Sequence, residues 1–155
     1  VHGLAHLDAA LDGRTLVIAI RSPGWDLVGF ERAPRDEAER ARIEAARATL
    51  ADGARLFAFE PAGACRAAEP ARVVLPSAIE PEGAAADPGE PGHPGDWTAT
   101  WTFDCAEPAS LRAIRVDWFD AFASTERIEV QWIGPDGQAG HALTAAERRI
   151  PVGGR

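Results

Sequence analysis

The 155-residue sequence predicts an α+β fold, mainly antiparallel β-sheet with an N-terminal β-hairpin and one major helix. Two observations carry that expectation. Apolar side chains recur with a period of two in residues 4–20, 97–105 and 128–143, the mark of half-buried strands, and only residues 37–52 combine a start signal with helical spacing. The order ββα followed by further strands separated by short turns is that of an α+β domain. The length suits one domain spanning residues 1–155, with 46% hydrophobic and 26% charged residues to build a core and a solvated surface.

In the first element Leu16, Ile18 and Ile20 alternate with Val17, Ala19 and Arg21, and Asp12-Gly13 offers a hairpin turn. Pairing Leu11 with Arg14 sets Leu7 against Ile18, Ala9 against Leu16 and Ala5 against Ile20, leaving His2, His6 and Asp8 on the opposite face. A turn-rich stretch containing Pro23-Gly24 follows. The helix is signalled by Asp36 as N-cap with Glu39 three residues on, a capping box after Pro34, and Gly53 marks its end. Ile43, Ala46 and Leu50 form its apolar stripe, and Arg40, Glu44 and Arg47 are surface charges able to pair along the helix.

Residues 56–59 and 71–75 read as short extended segments. Residues 76–96 contain five prolines, five carboxylates and His93 with almost no large apolar group, so they predict a flexible loop. Beyond it Trp97, Ala99, Trp101, Phe103 and Cys105 share an inward face, with Thr98, Thr100, Thr102 and Asp104 outward. Residues 107–110 make a turn or short helical start, Leu111 to Phe119 a further strand, and Gly134-Pro135-Asp136-Gly137 a hairpin. Setting Ile133 against Gln138 brings Val130 opposite His141 and Ile128 opposite Leu143.

Charge and composition narrow the function. A net charge of −8 repels nucleic acid and anionic lipid, and no apolar run approaches the roughly 20 residues of a membrane-spanning helix. A chain starting at Val1 with no Met fits a processed or trimmed form. All 16 basic residues are Arg, a compositional bias that gives Arg clusters little weight as recognition sites. The four serines lie outside any GxSxG motif, no phosphate-binding glycine motif occurs, and the carboxylate pair Asp117 and Asp120 reads as solvated, so an enzyme is not indicated.

Metal ligation is the remaining chemistry. His2 and His6, four residues apart on a straight strand, are separated by about 13 Å and cannot share an ion. His6 with Asp8 can do so if a third ligand arrives from a neighbouring segment, His2 needs a distant partner, and His93 can act with the acidic loop. His141 faces Val130 and reads as packed. The tryptophans read as core. Cys65 and Cys105 lack a CxxC pattern or adjacent His, and the local sequence leaves free thiols and a disulfide equally open.

Several segments together carry a resemblance: VHGLAHLDAALDG at 1–13, SPGWDLVGFERAPRDEAER at 22–40, Cys65 with FDC at 103–105, and ERIEVQWIGPDGQAG at 126–140. In these the chain is similar to the ZrgA-like family of periplasmic proteins associated with zinc uptake. The resemblance implies an exported bacterial protein of the periplasm that binds zinc or assists its uptake, in cooperation with a zinc transporter component. It also implies a role for His2, which stands in the family's N-terminal HG pair, and a Cys65–Cys105 disulfide in an oxidising compartment. Family members commonly carry a His- and Asp-rich tract between the two cysteine positions, where this chain has the Pro/Gly/acidic loop with His93 alone. The expectation is therefore weak zinc binding at few sites, drawn from His2, His6, Asp8 and His93. The alternative is a non-catalytic protein-interaction module on the same scaffold without significant metal binding.

Overall fold

The computed structural model describes residues 2–77, 79 and 95–152. Its elements, in chain order, are β1 (Leu4–Asp12), β2 (Thr15–Pro23), α1 (Gly24–Val28), α2 (Glu37–Ala51), α3 (Gly53–Leu56), β3 (Phe57–Glu60), β4 (Cys65–Ala67) and β5 (Arg72–Val74). There follow β6 (Asp96–Cys105), a 3-10 turn at Pro108–Ser110, β7 (Ala113–Val116), α4 (Trp118–Ala121), β8 (Arg127–Gly134), β9 (Gly137–Leu143) and β10 (Arg149–Pro151). The architecture is α+β with mostly antiparallel sheets and one long helix, as the periodicity predicts. The 76–96 loop expected from composition lies largely outside the described residues, as does His93.

Seven strands form the main sheet in the order β4-β6-β2-β1-β8-β9, with β5 also pairing β6; β10-β7-β3 form a smaller sheet. All pairs are antiparallel except β1 with β8, which run parallel. The β8–β9 hairpin takes the expected register, with Val130 opposite His141 and Ile128 opposite Leu143. The first hairpin does not. Leu11 pairs with Leu16 and Leu7 with Ile20, two residues away from the expected pairing, and Gly13-Arg14 is the two-residue loop. Gly13 takes φ 61° at the first loop position while, among the described residues, no non-glycine has positive φ, the pattern of a type II′ turn. A two-residue shift keeps every side chain on its face, so alternation alone could not exclude the wrong register.

Asp36 caps α2 as expected, accepting from Glu39 N at 2.8 Å. The reciprocal arm of the box differs: the Glu39 carboxylate accepts from Arg35 N at 2.8 Å and from the forked guanidinium of Arg32 at 2.7 and 2.8 Å. These donors hold Glu39 down to about 2, the Arg32 bond being the main cause. Ile43, Ala46 and Leu50 are the buried face of α2. Gly53 opens α3 rather than ending the helix, and a Cβ there would meet Trp101 Cδ1 at 2.9 Å.

The inner face of the main sheet, α2 and the smaller sheet contribute to one buried cluster. Trp101 donates from Nε1 to Leu50 O at 2.7 Å, and Phe57 meets the rings of Trp101 and Phe103 edge-on. Trp97, Ala99, Trp101, Phe103 and Cys105 are all buried, as their alternation predicts. A further correction concerns residues 111–119, where the strand is only β7 and Trp118 and Phe119 belong to a helical turn. Both rings are buried, which successive positions of a strand, pointing to opposite faces, do not allow against a single core. Cys65 lies directly opposite Cys105 across β4 and β6, and the two form a disulfide.

Candidate functional site

Two surfaces hold His2, His6 and Asp8, the sequence-predicted metal-ligating residues among those described, and β1 leads to both. The first is the outer face of the main sheet. His6 and Asp8 occupy exposed positions of β1. The register sets His6 beside Glu129 and then Ala142, and Asp8 beside Gln131 and then Gly140. These side chains line a shallow open groove that also includes Arg127. Glu129 is therefore the carboxylate that a neighbouring strand brings to His6. Its own oxygen is engaged by Arg127 at 3.1 Å, which lowers its availability to a cation. His141 is on the inner side of β9, opposite Val130, and its Nε2 is buried without a hydrogen-bond partner.

The second surface lies at the start of β1. His2 precedes the strand, and Gly3 with φ 88° turns the chain before Leu4, so the straight-strand spacing to His6 does not apply. Gly3 is anchored from both sides of its backbone. Its N–H donates to Asp26 Oδ2 at 2.7 Å, and its carbonyl accepts from Glu126 N at 2.8 Å and Arg127 N at 3.0 Å. The His2 ring stacks on Trp25 with centroids 5.2 Å apart and planes 11° from parallel. Its Nε2 is 3.2 Å from Glu31 Oε2.

Local structure explains how Glu31 arrives there. α1 is a single turn that ends at Gly29 in the left-handed region, φ 88°. The reversal returns Glu31 over the start of the helix, where its Oε2 also accepts from Trp25 N at 3.1 Å. Asp26, inside that turn, is only 5% exposed. Burial raises its pKa above the ordinary carboxylate range; the Gly3 hydrogen bond and the nearby His2 pull it down, while Glu31 and Glu126 push it up. The corner thus gathers one imidazole and three carboxylates.

Sequence reasoning named His2 and left its distant partner open; the structure brings Glu31 against it. The signal was present in SPGWDLVGFE, where two glycines bracket Trp25 and Asp26 and imply tight turns, but no spacing rule links that segment to residue 2. Neither His6 nor Asp8 is brought to His2. Among the described residues, no group of three or more His, Cys, Asp or Glu is already placed to hold a metal ion, and no helix is long and apolar enough to cross a membrane. A family model described as ZrgA family zinc uptake protein matches residues 1–152. No curated protein matches the chain.

Proposed function

The chain belongs to the ZrgA family of zinc uptake proteins, and from that premise we propose that it is a periplasmic zinc-binding accessory protein that passes zinc to a transporter component. The observation that carries this reading is the family match, which covers nearly the whole chain. The Cys65–Cys105 disulfide supports an exported location, since disulfides persist in oxidising compartments. The ligands on offer are His2, His6, Asp8 and His93, imidazole and carboxylate groups suited to zinc. With the cysteines oxidised there is no thiolate to add affinity, so binding is weak and involves few sites. The protein carries zinc as cargo and catalyses no reaction. One buried cluster drawing on both sheets and α2 supports a single domain over residues 1–155.

Calorimetric titration of the untagged, oxidised protein with zinc tests the proposal. Saturable binding at neutral pH that weakens in mildly acidic solution, as protons compete for the imidazole ligands, is the expected result. Absence of saturable binding at neutral pH would leave the scaffold as a protein-interaction module.

A further inference from the structure

Among the described residues the two sheets leave four edges, and three of them are guarded. At one side of the main sheet β4 and β5 are three residues each and carry Arg66 and Arg72. In the smaller sheet β3 is four residues long and ends in Glu60 before Pro61, while β10 carries Arg149 and Pro151. Short strands, charges and prolines are the usual means by which an edge avoids pairing with another chain. β9 has none of them. It is seven residues long, GQAGHAL, without a proline, an Arg or a carboxylate, and among the described residues it pairs with β8 alone. We propose that β9 is a self-association edge, pairing antiparallel with β9 of a second copy of the chain about a two-fold axis at Gly140. This goes beyond the zinc-carrier reading and does not rest on it.

The hairpin ladder fixes which backbone groups face the partner. Gly134 and Gly137 close the two-residue loop, and the register runs unbroken to Ile128 opposite Leu143. Alternate residues of an antiparallel pair exchange both backbone bonds, and the residues between them turn theirs away. Gln138, Gly140 and Ala142 therefore direct N–H and C=O groups out from the sheet, and all three residues are exposed. Gly140 is the middle one. A glycine inside a strand marks a bulge or the close approach of another backbone, and the unbroken register excludes the bulge. A Cβ at Gly140 would meet nothing nearer than Val130 O at 3.8 Å, so among the described residues nothing requires the glycine.

The occupant is a second copy because the edge is complementary to itself. With Gly140 on the axis, Gln138 faces Ala142 of the second copy, Ala139 faces its His141 and Gly137 its Leu143, so each larger side chain meets a small one. One step further, Asp136, exposed at the hairpin tip, comes beside Thr144 of the second copy. By continuation of the register, the β8 neighbour of Thr144 is Arg127, whose exposed side chain lines the same groove as Gly140 and Ala142. Arg127 engages Glu129 through Nη2 at 3.1 Å, and its guanidinium fork retains donors for the incoming carboxylate. The two-fold repeats this contact at both ends of the pair. A net charge of −8 on each copy and a contact one strand wide make the dimer transient.

Sedimentation velocity over a dilution series of the untagged, oxidised chain tests the proposal, with Q138K/A142K and Q138K/A142E beside the wild type and folding checked by circular dichroism. Both positions are exposed, so the core is untouched. The wild type sediments as a concentration-dependent equilibrium of monomer and dimer that goes no further, because the pairing uses the one unguarded edge. Q138K/A142K sets like charges against each other across the axis and weakens the dimer by at least about 10-fold. Q138K/A142E sets opposite charges there and restores it; in a parallel pairing Gln138 would face itself and this variant would fail as well. A wild type that stays monomeric throughout, assembly beyond the dimer, a dimer indifferent to Q138K/A142K, or one that Q138K/A142E does not restore overturns the proposal.

Discussion

Removing the Cys65–Cys105 link gives a stability loss that can be worked from chain length. The disulfide closes a loop of 40 residues. In the chain-entropy treatment, closing a loop of that size removes about 13 cal/mol/K from the unfolded ensemble, or about 4 kcal/mol at room temperature. For a chain of this length each kcal/mol corresponds to about 2–4 °C in melting temperature, so reduction should lower it by about 8–16 °C. Urea unfolding of the oxidised and the reduced wild-type protein measures the cross-link without altering side-chain volume. The slope with urea should rise on reduction, because the unlinked chain exposes more surface when unfolded. C65A/C105A should lose somewhat more than reduction alone, since Cys105 is fully buried and Cys65 nearly so and truncation removes their packing. A difference below about 1 kcal/mol between the two forms would refute the loop-entropy account. It would mean that residues 65–105 are restrained in the unfolded state by something other than the cross-link.

Glu39, held at about 2 by Arg32 and Arg35 N, contributes stability that is full above its unfolded value of about 4.3 and is lost as pH falls toward about 2. Glu39→Gln should therefore be destabilised relative to wild type at neutral pH, and the gap between their urea midpoints should close in acid; a gap independent of pH would refute the charge-based account. Trp101→Phe strips Leu50 O of its buried 2.7 Å donor and leaves a small void, a loss of about 2–4 kcal/mol in urea unfolding. Gly13→Ala meets nothing within 4 Å but forces a side chain to φ 61°, for a backbone cost of about 1–2 kcal/mol in urea unfolding that Gly13→Asn should partly avoid. Gly3→Ala adds a Cβ at φ 88° and 3.4 Å from Glu126 Cδ, for a backbone cost of about 1–2 kcal/mol in urea unfolding; an unchanged urea midpoint would count against strain at Gly3.

The two hairpins show which parts of the fold the sequence could determine. In residues 128–143 the loop contains Pro135, whose missing N–H and fixed φ exclude it from a ladder position, so one register remained and it is the one found. In residues 4–23 the turn offers Asp12, Gly13 and Arg14 without a proline. The two registers that place the same residues inward differ only in whether Gly13 is the first or second loop position, and the inside-outside pattern is silent on that choice. The strand of residues 97–105 was legible because its alternation is unbroken for nine residues and both faces are chemically distinct. β4, three residues long, has too few positions to show a period. α4 reads as the continuation of β7 until the burial of both Trp118 and Phe119 is known.

For the site, residue types were legible and their meeting was not. His2 and Glu31 are joined by two reversals, at Gly3 and at Gly29, each with φ 88°, and a glycine in a sequence announces a turn without giving its direction. The same backbone explains how the start of β1 is anchored. Both polar groups of Gly3 are committed, the N–H to Asp26 and the carbonyl to the start of β8, so the residue that follows His2 is held between α1 and β8. His6, in the middle of β1, has no such reversal to bring a second segment over it; its cross-strand neighbour Glu129 is engaged by Arg127. His2 before β1 and His6 within it therefore differ in their surroundings because of what the turns at the strand's start deliver to His2, and periodicity carries no record of that.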